Sequence, residues 1–246
     1  MESVMESSIE RELQTRRESI FAGAITQWTP HFVLHYLADD SAAVDDLLNT
    51  LEQARPRVLA SLDLVDIDAV DVYVYPSLAA FHSVLPMREV PDWVVGRAWG
   101  FGELHMVSPL NPGPAHTRES LMVVAVHELA HCATANITPL TMDFPAWLSE
   151  GAAMYLAGQF QDPRGLGYLR EGRFPSLEVL SDQVAGLDKV YEVGYLIVEF
   201  VLSHYGASGL HALIAARGNT KAALGIDVGV FERDWQAFVK QKYLDC

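Results

Sequence analysis

Val126-His127-Glu128-Leu129-Ala130-His131 is the stretch on which the reading of this chain turns. It contains H-E-x-x-H, and Leu121 to Val126 ahead of it is almost wholly apolar, as in a helix running through a core. Helical residues four apart differ by roughly 40° around the axis, so His127 and His131 project from one face, one turn apart. Two imidazole nitrogens placed this way can converge on one zinc ion. Glu128 flanks the same face, where it can reach a water held there. Thr117 and Glu119 supply a helix start, and the pattern predicts a helix over about 117–135.

A pentapeptide of this kind arises by chance in roughly 2 of 100 chains of such composition, so its weight depends on a third ligand elsewhere in the chain. A zinc site with catalytic power takes three protein ligands and keeps a fourth position for water. Downstream stands Phe144-Pro-Ala-Trp-Leu-Ser-Glu-Gly-Ala-Ala-Met-Tyr155. Pro145 suits the first turn of a helix. Glu150 then falls one to two turns in, among Trp147, Leu148, Ala152 and Ala153. A carboxylate in so apolar a stretch is costly to bury unpaired, and a bound cation removes that cost.

Outward from this centre the chain has two characters. Ahead of it, His31–Tyr36 and Val70–Tyr75 read as strands, the second stopped by Pro76. Residues 41–62 carry Val44, Leu47, Leu48, Leu51, Ala54, Val58 and Leu59 at helical spacing. Residues 86–96 read as a loop, and Ala98 to Val107 as a third strand. Residues 1–20 are polar and alternately charged, a tail or a frayed helix. Behind the centre the pattern is helical, over about 145–158, 189–205, 207–217 and 228–243. A strand-rich first half, a central helix and a helical second half predict an α+β protein. Its catalytic part spans 21–246, with an N-terminal lobe to about 136, a helical lobe from about 137, and the active site between them.

H-E-x-x-H followed after eighteen residues by the Glu of W-L-x-E-G-x-A resembles the gluzincin metallopeptidases, in particular the zinc aminopeptidases and the compact peptidase MA-like domains. The resemblance implies a zincin-like fold, with a small mixed sheet bearing an antiparallel edge strand. It implies one zinc ion per chain, held by His127, His131 and Glu150, with Glu128 as general base in the hydrolysis of peptide bonds through a metal-activated water. It extends into Lys189-Val-Tyr-Glu-Val-Gly194, where the family has a Y-E-x-G segment whose tyrosine hydroxyl stabilises the oxyanion. Tyr191 matches that position, and Tyr195 is the alternative. In this fold an extended substrate pairs with the edge strand. Ala98–Ser108 is the candidate, with Gly100 and Gly102 allowing close backbone approach. Aminopeptidases of this clan carry a glutamate on that strand that binds the substrate's free amine. Glu103 lies at a similar distance before H-E-x-x-H, but Gly102 and Leu104 depart from the residues that flank it in the family.

Composition narrows the partners. Half of the 246 residues are apolar and a fifth are charged, which is ordinary for a globular protein. A net charge of -15 argues against nucleic acid or an anionic membrane as the main partner, since both call for a basic surface. A peptide or protein substrate is expected. Cys132 and Cys246 make no disulfide framework. Met1–Ser8 is acidic and polar, unlike a secretory leader, and no apolar run reaches the roughly 20 residues of a membrane span. The expected location is cytoplasmic. The competing expectation is a module of the same fold that keeps zinc but has lost turnover.

Overall fold

Val70-Asp-Val-Tyr-Val-Tyr75 alternates because Val70, Val72 and Val74 on one face are fully buried while Asp71 and Tyr73 on the other are only half-buried. In the computed structural model it is the central strand of five. The structure describes residues 2–87, 89–141, 143–182, 184 and 186–245, with side chains from residue 11 onward. The strands are β1 (Ile25–Trp28), β2 (Phe32–Tyr36), β3 (Val70–Tyr75), β4 (Gly96–Trp99) and β5 (Glu103–Val107), in the order β1-β2-β3-β5-β4. β2, β3 and β5 run parallel, while β1 and β4 are antiparallel to their neighbours. The helices are α1 (Glu2–Ile20), α2 (Ser41–Ser61), α3 (Leu78–His82), α4 (Arg118–Ala135), α5 (Ala146–Ala157), α6 (Gly167–Arg170), α7 (Leu177–Ser181), α8 (Leu187–Ala215), α9 (Thr220–Leu224) and α10 (Val228–Val239). This is the α+β arrangement expected, a small mixed sheet followed by helices.

The register places Phe32, Leu34, Val72, Val74, Leu104 and Met106 on one face of the sheet, and all six are fully buried. The opposite face carries His35, Asp71, Tyr73, Tyr75, Glu103, His105 and Trp99. Here α1 docks. Phe21, just past its end, packs edge-on against Tyr73 and Tyr75. Arg17 lies over the Tyr73 ring and donates to Glu103 at 2.7 Å. The polar N-terminal segment is therefore a helix of 19 residues with a fixed contact on the sheet.

The expected third strand over 98–107 is instead a hairpin. β4 ends at Trp99, the chain reverses through Gly100 at φ +60°, and β5 starts at Glu103. A left-handed φ favours glycine, so Gly100 answers to the turn. Gly102 lies in the same turn, its carbonyl accepting from the Asp71 N–H. β1 was not foreseen, because it is a short edge strand with three of its four residues exposed and so leaves no burial period in the sequence.

The chain divides into two compact units, residues 1–54 with 68–128 and residues 55–67 with 129–246. α4 contributes residues to both units. In the second unit, α5 and α8 meet at two glycines. A Cβ on Gly151 would lie 2.7 Å from the Gly194 carbonyl oxygen, and one on Gly194 would lie 3.0 Å from the Gly151 Cα. Backbone stands against backbone, so neither position has room for a side chain. Gly151→Ala is therefore expected to destabilise. The overpacking cost of about 1–3 kcal/mol outweighs the up to ~1 kcal/mol that alanine gains over glycine in a helix. Urea unfolding of the variant checks this.

α8 is long and apolar enough to cross a membrane by length and composition. Val190, Val193, Leu196, Ile197 and Val201 are fully buried, however, and Gly206 breaks the helix at φ +67°. The break falls between the two helices expected over 189–205 and 207–217.

Candidate metal centre

α4 carries His127 and His131 one turn apart, with Glu128 next to His127, among Leu121, Ala125, Leu129, Ala130 and Ala133, all fully buried. His127 and Glu128 are themselves only 8% exposed. α5 starts after Pro145, as expected, and sets Glu150 in its second turn. The ligand-type atoms of His131 and Glu150 face each other, Nε2 to Oε1, at 3.4 Å. One such atom from each of His127, His131 and Glu150 lies within 4.8 Å of the others, and this is the group of that kind among the described residues.

The donor set fits zinc. Ligands at about 2.0–2.2 Å and tetrahedral angles stand about 3.4 Å from one another, the separation found between His131 and Glu150. Two imidazoles and a carboxylate are also the donor types of a catalytic zinc site that keeps one open position. Ser149 Oγ lies 3.4 Å from Nδ1 of His131. A contact on Nδ1 leaves Nε2 turned toward Glu150, the usual role of a group behind a metal-binding histidine. The sequence offered no signal for Ser149 beyond its place before Glu150.

Glu128 belongs to the first unit's packing. Its Oε2 accepts from the Ala98 N–H of β4 at 2.7 Å. Tyr191 is a part-exposed residue in the first turns of α8, three residues ahead of the Gly194 crossing. Tyr195 is engaged elsewhere, its ring 4.9 Å from Tyr155 and 5.3 Å from Phe160. Glu192, beside Tyr191, accepts from the Tyr168 hydroxyl at 2.6 Å and the Lys189 ammonium at 2.7 Å. These contacts tie α6 to the start of α8.

Glu103 is not brought to this group. Its side chain lies on the sheet face that holds α1, while α4 meets the other face at Gly96. It binds Arg17 and also accepts from His105 at 3.0 Å. Burial pushes the His105 imidazole below its usual pKa. The neutral ring gives its Nε2–H to Glu103 and accepts the Tyr75 hydroxyl at Nδ1, 2.8 Å away. The His105 hydrogen bond and then Arg17 hold the Glu103 carboxyl at about 2, below its ordinary 4.5. A depressed carboxylate pKa adds stability above the unfolded value, and that stability is lost as pH falls. Folding should therefore weaken between pH 4.5 and about 2, and Glu103→Gln should flatten that segment. The effect is modest, because Glu103 is 38% exposed and solvent screens the pair. Urea midpoints across acid pH provide the check.

Cys132 is fully buried, as expected of a small core side chain, and Cys246 lies outside the described residues. A family model described as the peptidase MA superfamily matches residues 60–241. No curated protein matches the chain.

Proposed function

This chain belongs to the peptidase MA superfamily, and from that premise we propose that it is a zinc metallopeptidase of the gluzincin type, cleaving peptide or protein substrates. The observation that carries the proposal is the convergence of His127, His131 and Glu150, with His131 and Glu150 at the separation two zinc ligands take. Zinc bound by these three residues would lower the pKa of water toward about 7 and polarise a peptide carbonyl. Glu128 takes the proton of the attacking water and returns it to the departing amine. Tyr191 donates its hydroxyl hydrogen to the developing oxyanion. Tyr191 takes that role in preference to Tyr195 as the tyrosine of the Y-E-x-G segment.

Glu103 has no part in this reading, since its charge is met by Arg17. The test is the zinc content of the purified protein by mass spectrometry, with a peptide-library digest before and after chelation. About one zinc per chain and cleavage that stops on chelation and returns with zinc support the proposal. No zinc after incubation with the metal would overturn it.

A further inference from the structure

We infer that the backbone N–H of Ala98 is a positioning group for Glu128, fixing one carboxylate oxygen so that the other is presented for proton transfer. The inference rests on the peptidase reading above for the role of Glu128, and on the edge strand for its geometry.

In an antiparallel pair, residues alternate between those bonded to the partner strand and those whose N–H and C=O point away from it. The Val107 N–H donates to the Val95 carbonyl, so Val95 and Val107 form a bonded pair. By alternation Arg97 with His105 is bonded as well, while Gly96 with Met106 and Ala98 with Leu104 are not. β4 ends the sheet. The Ala98 N–H therefore points out of the free edge, where such a donor ordinarily goes to water or to another strand. Here it meets Glu128 Oε2 at 2.7 Å, a short distance typical of a bond to an ionised acceptor.

A second residue makes room for this contact. A Cβ on Gly96 would lie 2.8 Å from Val124 Cγ1, 3.0 Å from Glu128 Cγ and 3.3 Å from Glu128 Oε1. The missing side chain lets α4 approach the edge strand closely enough for Glu128 to reach Ala98. Gly96 thus supplies space and Ala98 a donor, both aimed at the residue that comes after His127. Oε2 is committed to the backbone, and Oε1 is the oxygen left for chemistry. A flexible glutamate side chain loses rotamer freedom when it works as a base, and a fixed hydrogen bond meets that cost before substrate arrives.

Amide hydrogen exchange of the alanine-labelled protein tests the contact without needing activity. The Ala98 amide of the wild type should exchange at least about tenfold more slowly than in Glu128→Ala, both without metal and after loading with zinc. Equal rates in the two proteins, or protection that disappears on zinc loading, would overturn the inference. Ala98→Pro tests the role. Proline is tolerated where an edge N–H faces outward, so this variant should bind zinc as the wild type does. Its kcat should be about tenfold lower. Arg97→Pro, which removes a bonded N–H, shows what disruption of the hairpin looks like by comparison. A folded Ala98→Pro protein with wild-type kcat would also overturn the inference. A wild type that binds zinc but cleaves no peptide sinks the peptidase reading instead, and the exchange rates still decide the contact.

Discussion

Glu128→Gln should retain zinc and lose peptide hydrolysis by about 10²- to 10⁴-fold, the usual contribution of a positioned general base. The amide is nearly isosteric with the carboxylate. It can still accept from the Ala98 N–H, which meets Glu128 at 2.7 Å, but it cannot take a proton from water. His127, His131 and Glu150 are untouched by the change, so metal content and thermal stability should stay at wild-type values. Measuring kcat/KM beside zinc stoichiometry separates the two effects. A Glu128→Gln protein as active as the wild type would remove Glu128 from the mechanism. A wild type no more active than Glu128→Gln would favour the zinc-retaining module without turnover.

Removing a ligand should act in the opposite order, on the metal first and on activity through it. His131→Ala and Glu150→Ala each delete one of the two groups that face each other at 3.4 Å. Zinc affinity should fall by more than about 100-fold, since even a residue behind a ligand is worth about 10- to 100-fold. The loss is readable without any substrate. Zinc at 100 times its Kd stabilises a folded protein by about 2.7 kcal/mol, so the wild-type melting temperature should rise on zinc addition and that of each variant should not. Ser149→Ala should give a smaller loss of affinity, in line with its contact to Nδ1 rather than to the metal. Zinc-induced stabilisation that survives in both His131→Ala and Glu150→Ala would place the metal elsewhere.

The parts legible in the sequence share a property, which is that their geometry is local. The H-E-x-x-H pentapeptide needs only an α-helix to align its histidines, and Leu121 to Val126 mark that helix by their apolar run. Pro145 and the apolar residues around Glu150 likewise announce the start and the burial of α5. β3 shows its two faces as alternation because one is buried at Val70, Val72 and Val74 and the other is half-exposed at Asp71 and Tyr73. β1 carries no such mark, since its side chains mostly face solvent. The 98–107 segment reads as one strand when Gly100 and Gly102 are taken as strand glycines that allow close backbone approach, whereas Gly100 is a turn glycine at φ +60°.

The sequence by itself determined the candidate ligand types, their helical spacing and the α+β order of elements, because each follows from the periodicity of a single element. Only the tertiary structure decided which distant residues meet. It paired Glu103 with Arg17, 86 positions away in the chain, on the face opposite the one that receives α4. It set Gly151 against Gly194, so that the segment bearing Glu150 crosses the one bearing Tyr191. It aimed the outward N–H of Ala98 at Glu128, 30 residues on. The register of an edge strand and the crossing of two helices depend on how several elements fill a common core, and no single stretch of sequence carries that information.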